Sequence, residues 1–181
     1  MSSILTEVII IVVLLVINGV FAMSEMAVVA AKKVRLEQRA DDGNRGAQAA
    51  LALAAEPTQF LSTVQVGITL VGVLAGAFGG ATISEKLAAS FAQVSWLAPY
   101  ADGAALAVVV AAITYLSLIL GELVPKRVAL GAPERIAAAV ARPMRLIARV
   151  ASPLVRFLSA SSVRRARSAP EGAPARGRRA R

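Results

Sequence analysis

The sequence predicts an all-α membrane protein: three transmembrane helices, joined and flanked by juxtamembrane amphipathic helices at the lipid surface. Three observations carry this. Hydrophobic residues make up 57% of the 181, and charged residues only 17%, against about 25% in a soluble domain. The charge deficit is concentrated in runs at 4–31, 58–81 and 103–121, on the scale needed to cross about 30 Å of hydrocarbon at 1.5 Å per residue. The basic residues alternate between connections. Five lie in 32–45, Lys86 stands in the second connection, and 14 follow from Lys126 onward. Counted by the positive-inside rule, the N-terminus lies outside and the tail inside.

The first span, 4–31, is too long for a signal peptide, lacks a basic leader and carries Glu7 near its start. Asn18, Ala22 and Glu25 recur at i, i+4 and i+7 and share one face, while Ser24 points elsewhere. Residues 32–57 form a polar connection, read as helices at 34–40 and 47–56 around the turn signal Asp41-Asp42-Gly43-Asn44. The second span, 58–81, places Ser62, Thr63, Gln65 and Thr69 in its first half. Gly72, Gly76 and Gly80 give it a small-residue ridge suited to close helix packing or to a contact between copies.

A short amphipathic helix is expected at 84–91, with Trp96 and Tyr100 at the membrane interface. The third span follows at 103–121. From Pro133 the pattern changes to arginines interleaved with apolar residues, broken by Pro143 and Pro153. Each arginine near the centre of a span costs about 2.5–3.5 kcal/mol, so 133–160 reads as an interfacial helix set facing anionic headgroups. The stretch 161–181 cannot bury a core and reads as a disordered basic tail.

No cysteine or histidine occurs, which excludes disulfides, thiolate or imidazole metal sites and His-based catalysis. No nucleophile–base constellation is visible, so the chain reads as no enzyme. Because topology accounts for most of the +9 charge, nucleic acid is not an expected partner. Hard oxygen donors remain, and they suit Mg²⁺, Ca²⁺, Na⁺ or K⁺.

The residues 114–127, TYLSLILGELVPKR, concentrate that chemistry. Pro125 has no N–H and leaves the Gly121 carbonyl without its helical partner. That carbonyl and the Glu122 carboxylate then stand together at the end of a span, as oxygen donors for a dehydrated Mg²⁺ or Na⁺. A carboxylate inside a membrane marks a functional site by default. The competing account is an i, i+4 pair of Glu122 with Lys126, worth about 0.3–0.5 kcal/mol when exposed. Asn18 is equally well read as an interhelical hydrogen-bonding group, and Glu25 as a partner of Lys32. Ser24, Thr63 and Thr69 can each bond their own helix carbonyls.

Three stretches together resemble the transmembrane domain of the CorC/CNNM family: FAMSEMAVV from Phe21, FLSTVQVGITLVG from Phe60 and ITYLSLILGELVPKR from Ile113. The resemblance covers about 4–160. It implies a three-span domain with juxtamembrane helices, a homodimer in the bacterial plasma membrane, and export of Mg²⁺ in exchange for Na⁺. It also implies a cation site between the spans that includes Glu122. The matching first-span positions are Asn18, Ala22 and Glu25, and those of the second span are Thr63 and Gly67. Ala22 departs from a hydroxyl common in relatives. Members usually continue into a paired CBS module and a small CorC-type domain, and neither is present here. An arginine-rich ending fits a truncation, a frame shift or a natural short form. The alternative function is a membrane anchor or interaction module that carries no ion.

Overall fold

The computed structural model describes residues 4–167. Helix α1 (Ile4–Ala30) is followed by the short α2 (Lys33–Asp41) and α3 (Arg45–Ala55). Helix α4 (Pro57–Phe78) runs through a π turn (Gly79–Ile83) into α5 (Ser84–Phe91). A single 3₁₀ turn (Ala98–Tyr100) leads into α6 (Ala101–Leu118), a second π turn (Ile119–Leu123) and α7 (Val124–Gly131), before the long α8 (Pro133–Arg167). No strand occurs among the described residues. Three helical stretches, Ile4–Ala30, Pro57–Phe91 and Ala98–Gly131, are long and apolar enough to cross a membrane. The second and third outrun the stretches 58–81 and 103–121, because neither π turn stops its helix.

The connection between the first two spans forms the expected helical hairpin. Gly43 takes φ +83°, a left-handed conformation that a residue without a Cβ adopts freely. Its N–H and that of Asn44 close the end of α2 on the carbonyls of Ala40 and Arg39, both at 3.0 Å. Asn44 then caps α3, its Oδ1 accepting from Gly46 N–H at 2.9 Å and Ala47 N–H at 3.0 Å.

The main apolar cluster gathers toward this end of the molecule and reaches Val71 in α4. It joins Phe21 and Val28 of α1, Leu36 of α2, Leu53 of α3, Phe60 and Val64 of α4, and Met144 of α8. Helices α3 and α8 approach closely because Ala47, Ala50, Ala137 and Ala141 are all fully buried. A Cβ on Gly46 would collide with the Ala138 carbonyl. Glu134, in the first turn of α8, accepts the Lys32 N–H at 3.3 Å and has an Arg35 guanidinium at 3.9 Å. Its own main-chain N–H, then that of Lys32 and the charges of Arg35 and Arg39, hold its carboxyl below the usual range against the opposing effect of burial.

Two expectations are corrected here. Helix α8 is continuous, so Pro143 and Pro153 do not break it, and it extends through 161–167, where a disordered tail was expected. Both prolines lie on exposed positions, and the carbonyl that Pro143 leaves free, on Ala139, is exposed as well and open to solvent or headgroups. The opposite face, with Ala137, Val140, Ala141 and Met144, is packed, and the helix continues past the proline. The remainder of the tail call, 168–181, lies outside the described residues.

Most of the glycine ridge of α4 is uncovered among the described residues. A Cβ on Gly72 or Gly76 would meet nothing within 4 Å, and one on Gly80 would meet only Leu106 Cδ1, at 3.6 Å. Gly79, in the π turn, is the tightly packed position, with Ile113 of α6 and Ile11 of α1 closing over it. Near the same end, both Glu7 oxygens accept from Lys86 Nζ at 2.7 Å, and this pair ties α1 to α5.

Candidate functional site

The loss of a donor at Pro125 is met differently from that at Pro143. The third span widens into the π turn, where Val124 N–H bonds the Ile119 carbonyl five residues back. Gly121 is buried in this turn, away from the exposed face on which Ala139 lies. Asn18 of α1 supplies the donor instead: its Nδ2 reaches the Gly121 oxygen at 3.3 Å. Since a carbonyl only accepts, the contact fixes which way the amide points. Asn18 is 5% exposed, and its Oδ1 is a buried acceptor without a hydrogen-bond partner among the described residues. Buried acceptors are as a rule satisfied, and a cation or a water meets the need of such an oxygen.

Glycines bring the two helices this close. A Cβ on Gly19 would stand 2.9 Å from Pro125 Cγ and 3.0 Å from the Leu120 carbonyl oxygen, and one on Gly121 would stand 2.8 Å from Asn18 Nδ2. Helix α1 therefore lies directly against the interrupted stretch of the third span.

One turn further on, three charged groups meet. Lys126 Nζ donates to Glu122 Oε1 at 2.7 Å and lies 3.9 Å from Glu25 Oε2. The Glu122 side chain is 45% exposed, and those of Lys126 and Glu25 are 28% exposed. The i, i+4 pairing expected as the competing account of Glu122 is thus present, and Glu25, for which pairing with Lys32 was the competing account, faces the same ammonium. The structure joins Asn18 to Gly121, and Glu122 to Glu25 through Lys126, at successive levels of the α1–π turn seam. Sequence reasoning gave Lys126 only the part of a helix-surface partner, because a spacing of four says nothing of a carboxylate on another helix.

The other proposed ligands lie apart from this arrangement. Ser24 is fully buried and donates to the Phe21 carbonyl at 2.7 Å. Thr63 is buried and bonds the Gln59 carbonyl at 2.9 Å, and Thr69 likewise bonds that of Gln65. The Phe21 ring covers Gly67, with ring carbons 2.8–3.1 Å from where a Cβ would stand. Among the described residues, no three acidic side chains gather into a metal-binding group.

Comparison with known proteins agrees with this architecture. Residues 9–171 match the family model described as the cyclin M transmembrane N-terminal domain. The UPF0053 protein sll0260 of Synechocystis is 53% identical over 161 residues, covering 89% of this chain and 36% of that protein. The polyamine export protein of Escherichia coli K12 is 30% identical over 155 residues, covering 86% of this chain and 34% of its own length. The protein Rv1841c of Mycobacterium tuberculosis is 31% identical over 140 residues, 77% of this chain and 39% of that one. The chain thus spans little more than a third of the length of the curated relatives it matches. On the strength of the match over 9–171, the chain belongs to the cyclin M transmembrane-domain family.

Proposed function

We propose that this chain carries Mg²⁺ across the bilayer, outward and in exchange for Na⁺, through a site on the seam between α1 and the π turn of the third span. The observation that supports it most is the Asn18 amide. Its nitrogen is tied to the Gly121 carbonyl while its oxygen is buried without a partner. That oxygen, the second lone pair of the Gly121 carbonyl, and the carboxylates of Glu122 and Glu25 form a hard donor set suited to Mg²⁺ or Na⁺. Ser24, Thr63 and Gly67 belong to a wider shell that takes part only after the spans rearrange. In this reading the basic ends of α2 and α8 lie in the cytoplasm of a bacterial cell and the N-terminus outside. The chain works as a homodimer, and the cytosolic modules usual in the family lie outside this sequence.

A second reading is favoured by one feature of the site. A primary ammonium, that of Lys126, already rests against Glu122 with Glu25 at 3.9 Å, and relatives at 30% identity are named polyamine export proteins. Alkylammonium export by the same carboxylates follows from that chemistry. A membrane anchor without transport is the remaining alternative.

Purified chain in proteoliposomes loaded with Mg²⁺ or with labelled spermidine separates the three. Mg²⁺ efflux that Glu122→Gln abolishes supports the first, and spermidine efflux with the same sensitivity supports the second. Wild type and Glu122→Gln that match empty liposomes for both cargoes leave the anchor.

A further inference from the structure

The arrangement of Lys126 goes beyond an ordinary helix-surface pair. Alone, Glu122 and Lys126 would be one i, i+4 contact among many. Here the same ammonium also faces Glu25, on a helix about a hundred residues earlier in the chain. The neighbouring Pro125 is seated on Gly19, which fixes where the lysine stem begins, while the four-carbon stem leaves the ammonium movable. Two carboxylates and one ammonium leave the cluster with a single negative charge.

We propose that Lys126 is the resident counter-ion of the site, a tethered ammonium that cargo must displace, and that it sets a threshold that multivalent cations overcome and monovalent ones do not. This rests on reading Glu122 and Glu25 as the cargo-binding carboxylates. The reason is electrostatic. A monovalent ion that replaces the ammonium restores the charge already there and gains nothing. An ion or polyamine of two or more positive charges neutralises both carboxylates, and its second charge drives the exchange. The displaced ammonium has somewhere to go, because the Lys126 side chain is 28% exposed and sits where a long basic side chain reaches the interface.

The test compares wild type, Lys126→Met, Lys126→Gln and Lys126→Arg as full chains, by flux in proteoliposomes and by the rise of melting temperature with added MgCl₂ or NaCl in detergent. Ligand bound only to the folded state raises that temperature by mass action, whether or not transport occurs. In Met and Gln variants the Mg²⁺ midpoint should fall by about tenfold, and Na⁺ should compete at correspondingly lower concentration. The Arg variant, which keeps the charge, should follow wild type. Unchanged midpoints in the Met and Gln variants, an Arg variant that behaves like Met, or no Mg²⁺-dependent shift in any protein overturns the proposal. If midpoints shift but no liposome carries cargo, Lys126 keeps its role and the transport reading fails. If cargo moves but midpoints coincide, the transport reading stands and the role of Lys126 fails.

Discussion

The two π turns interrupt the second and third spans by the same backbone change and meet opposite surroundings. Around Gly79 the space is closed by apolar side chains, Ile113 and Ile11. Around Gly121 it is closed by an amide, and a polar oxygen is left over. Each turn also has a lysine–glutamate clasp nearby. Beside the first, Glu7 is 4% exposed and both its oxygens are held by Lys86. Beside the second, Lys126 is shared between two partly exposed carboxylates at unequal distances. A buried carboxylate held through both oxygens fastens helices, whereas two partly exposed carboxylates that share one ammonium leave charge available for exchange. The difference is one of burial and stoichiometry, not of residue type.

The largest expected effect breaks the contrast at the clasps. Lys86→Met strips the buried Glu7 of this partner and should destabilise the fold by about 3 kcal/mol. Lys126→Met should cost less than about 1 kcal/mol, as exposed pairs do. Thermal unfolding of both variants in detergent measures the gap, and equal losses would erase the distinction. Next come the glycines. Gly79→Ala should lower stability by about 1 kcal/mol while leaving transport intact, because the far end of the Ile113 side chain can move aside. Gly121→Ala presses a Cβ onto Asn18 Nδ2 and should reduce cation flux about tenfold, the consequence of a misplaced ligand. Flux and melting measured on the same preparations separate the two.

A smaller effect concerns the seam between α2 and α8. The Glu134 carboxyl has a lowered pKa in the folded chain, so its stabilisation is complete above the unfolded carboxylate value of about 4.3. It drains away as pH falls through the lower folded value. Glu134→Gln should lose about 1–2 kcal/mol near neutrality and flatten the acid limb of a stability–pH curve, which denaturation at pH 3 to 7 records. The smallest effect is that of Thr69→Val. Its exposed hydroxyl bonds only its own helix, so melting and flux should stay within about 0.5 kcal/mol of wild type. A larger loss would bring the first half of α4 into the site.

The sequence by itself determined the three crossings, the hairpin turn at Gly43 and the helix of 84–91. These depend on local hydrophobicity and on turn chemistry that acts over a few residues. It also singled out Gly121 and Glu122, since a proline removes its donor wherever it stands. What it left undecided is how each freed carbonyl would be met. The carbonyl left by Pro143 lies on an exposed face and the helix runs on. The one left by Pro125 is buried and draws Asn18 from a residue 103 positions away. Only the tertiary structure decides such matters, because burial and the sharing of one ammonium by two helices are properties of packing between distant segments.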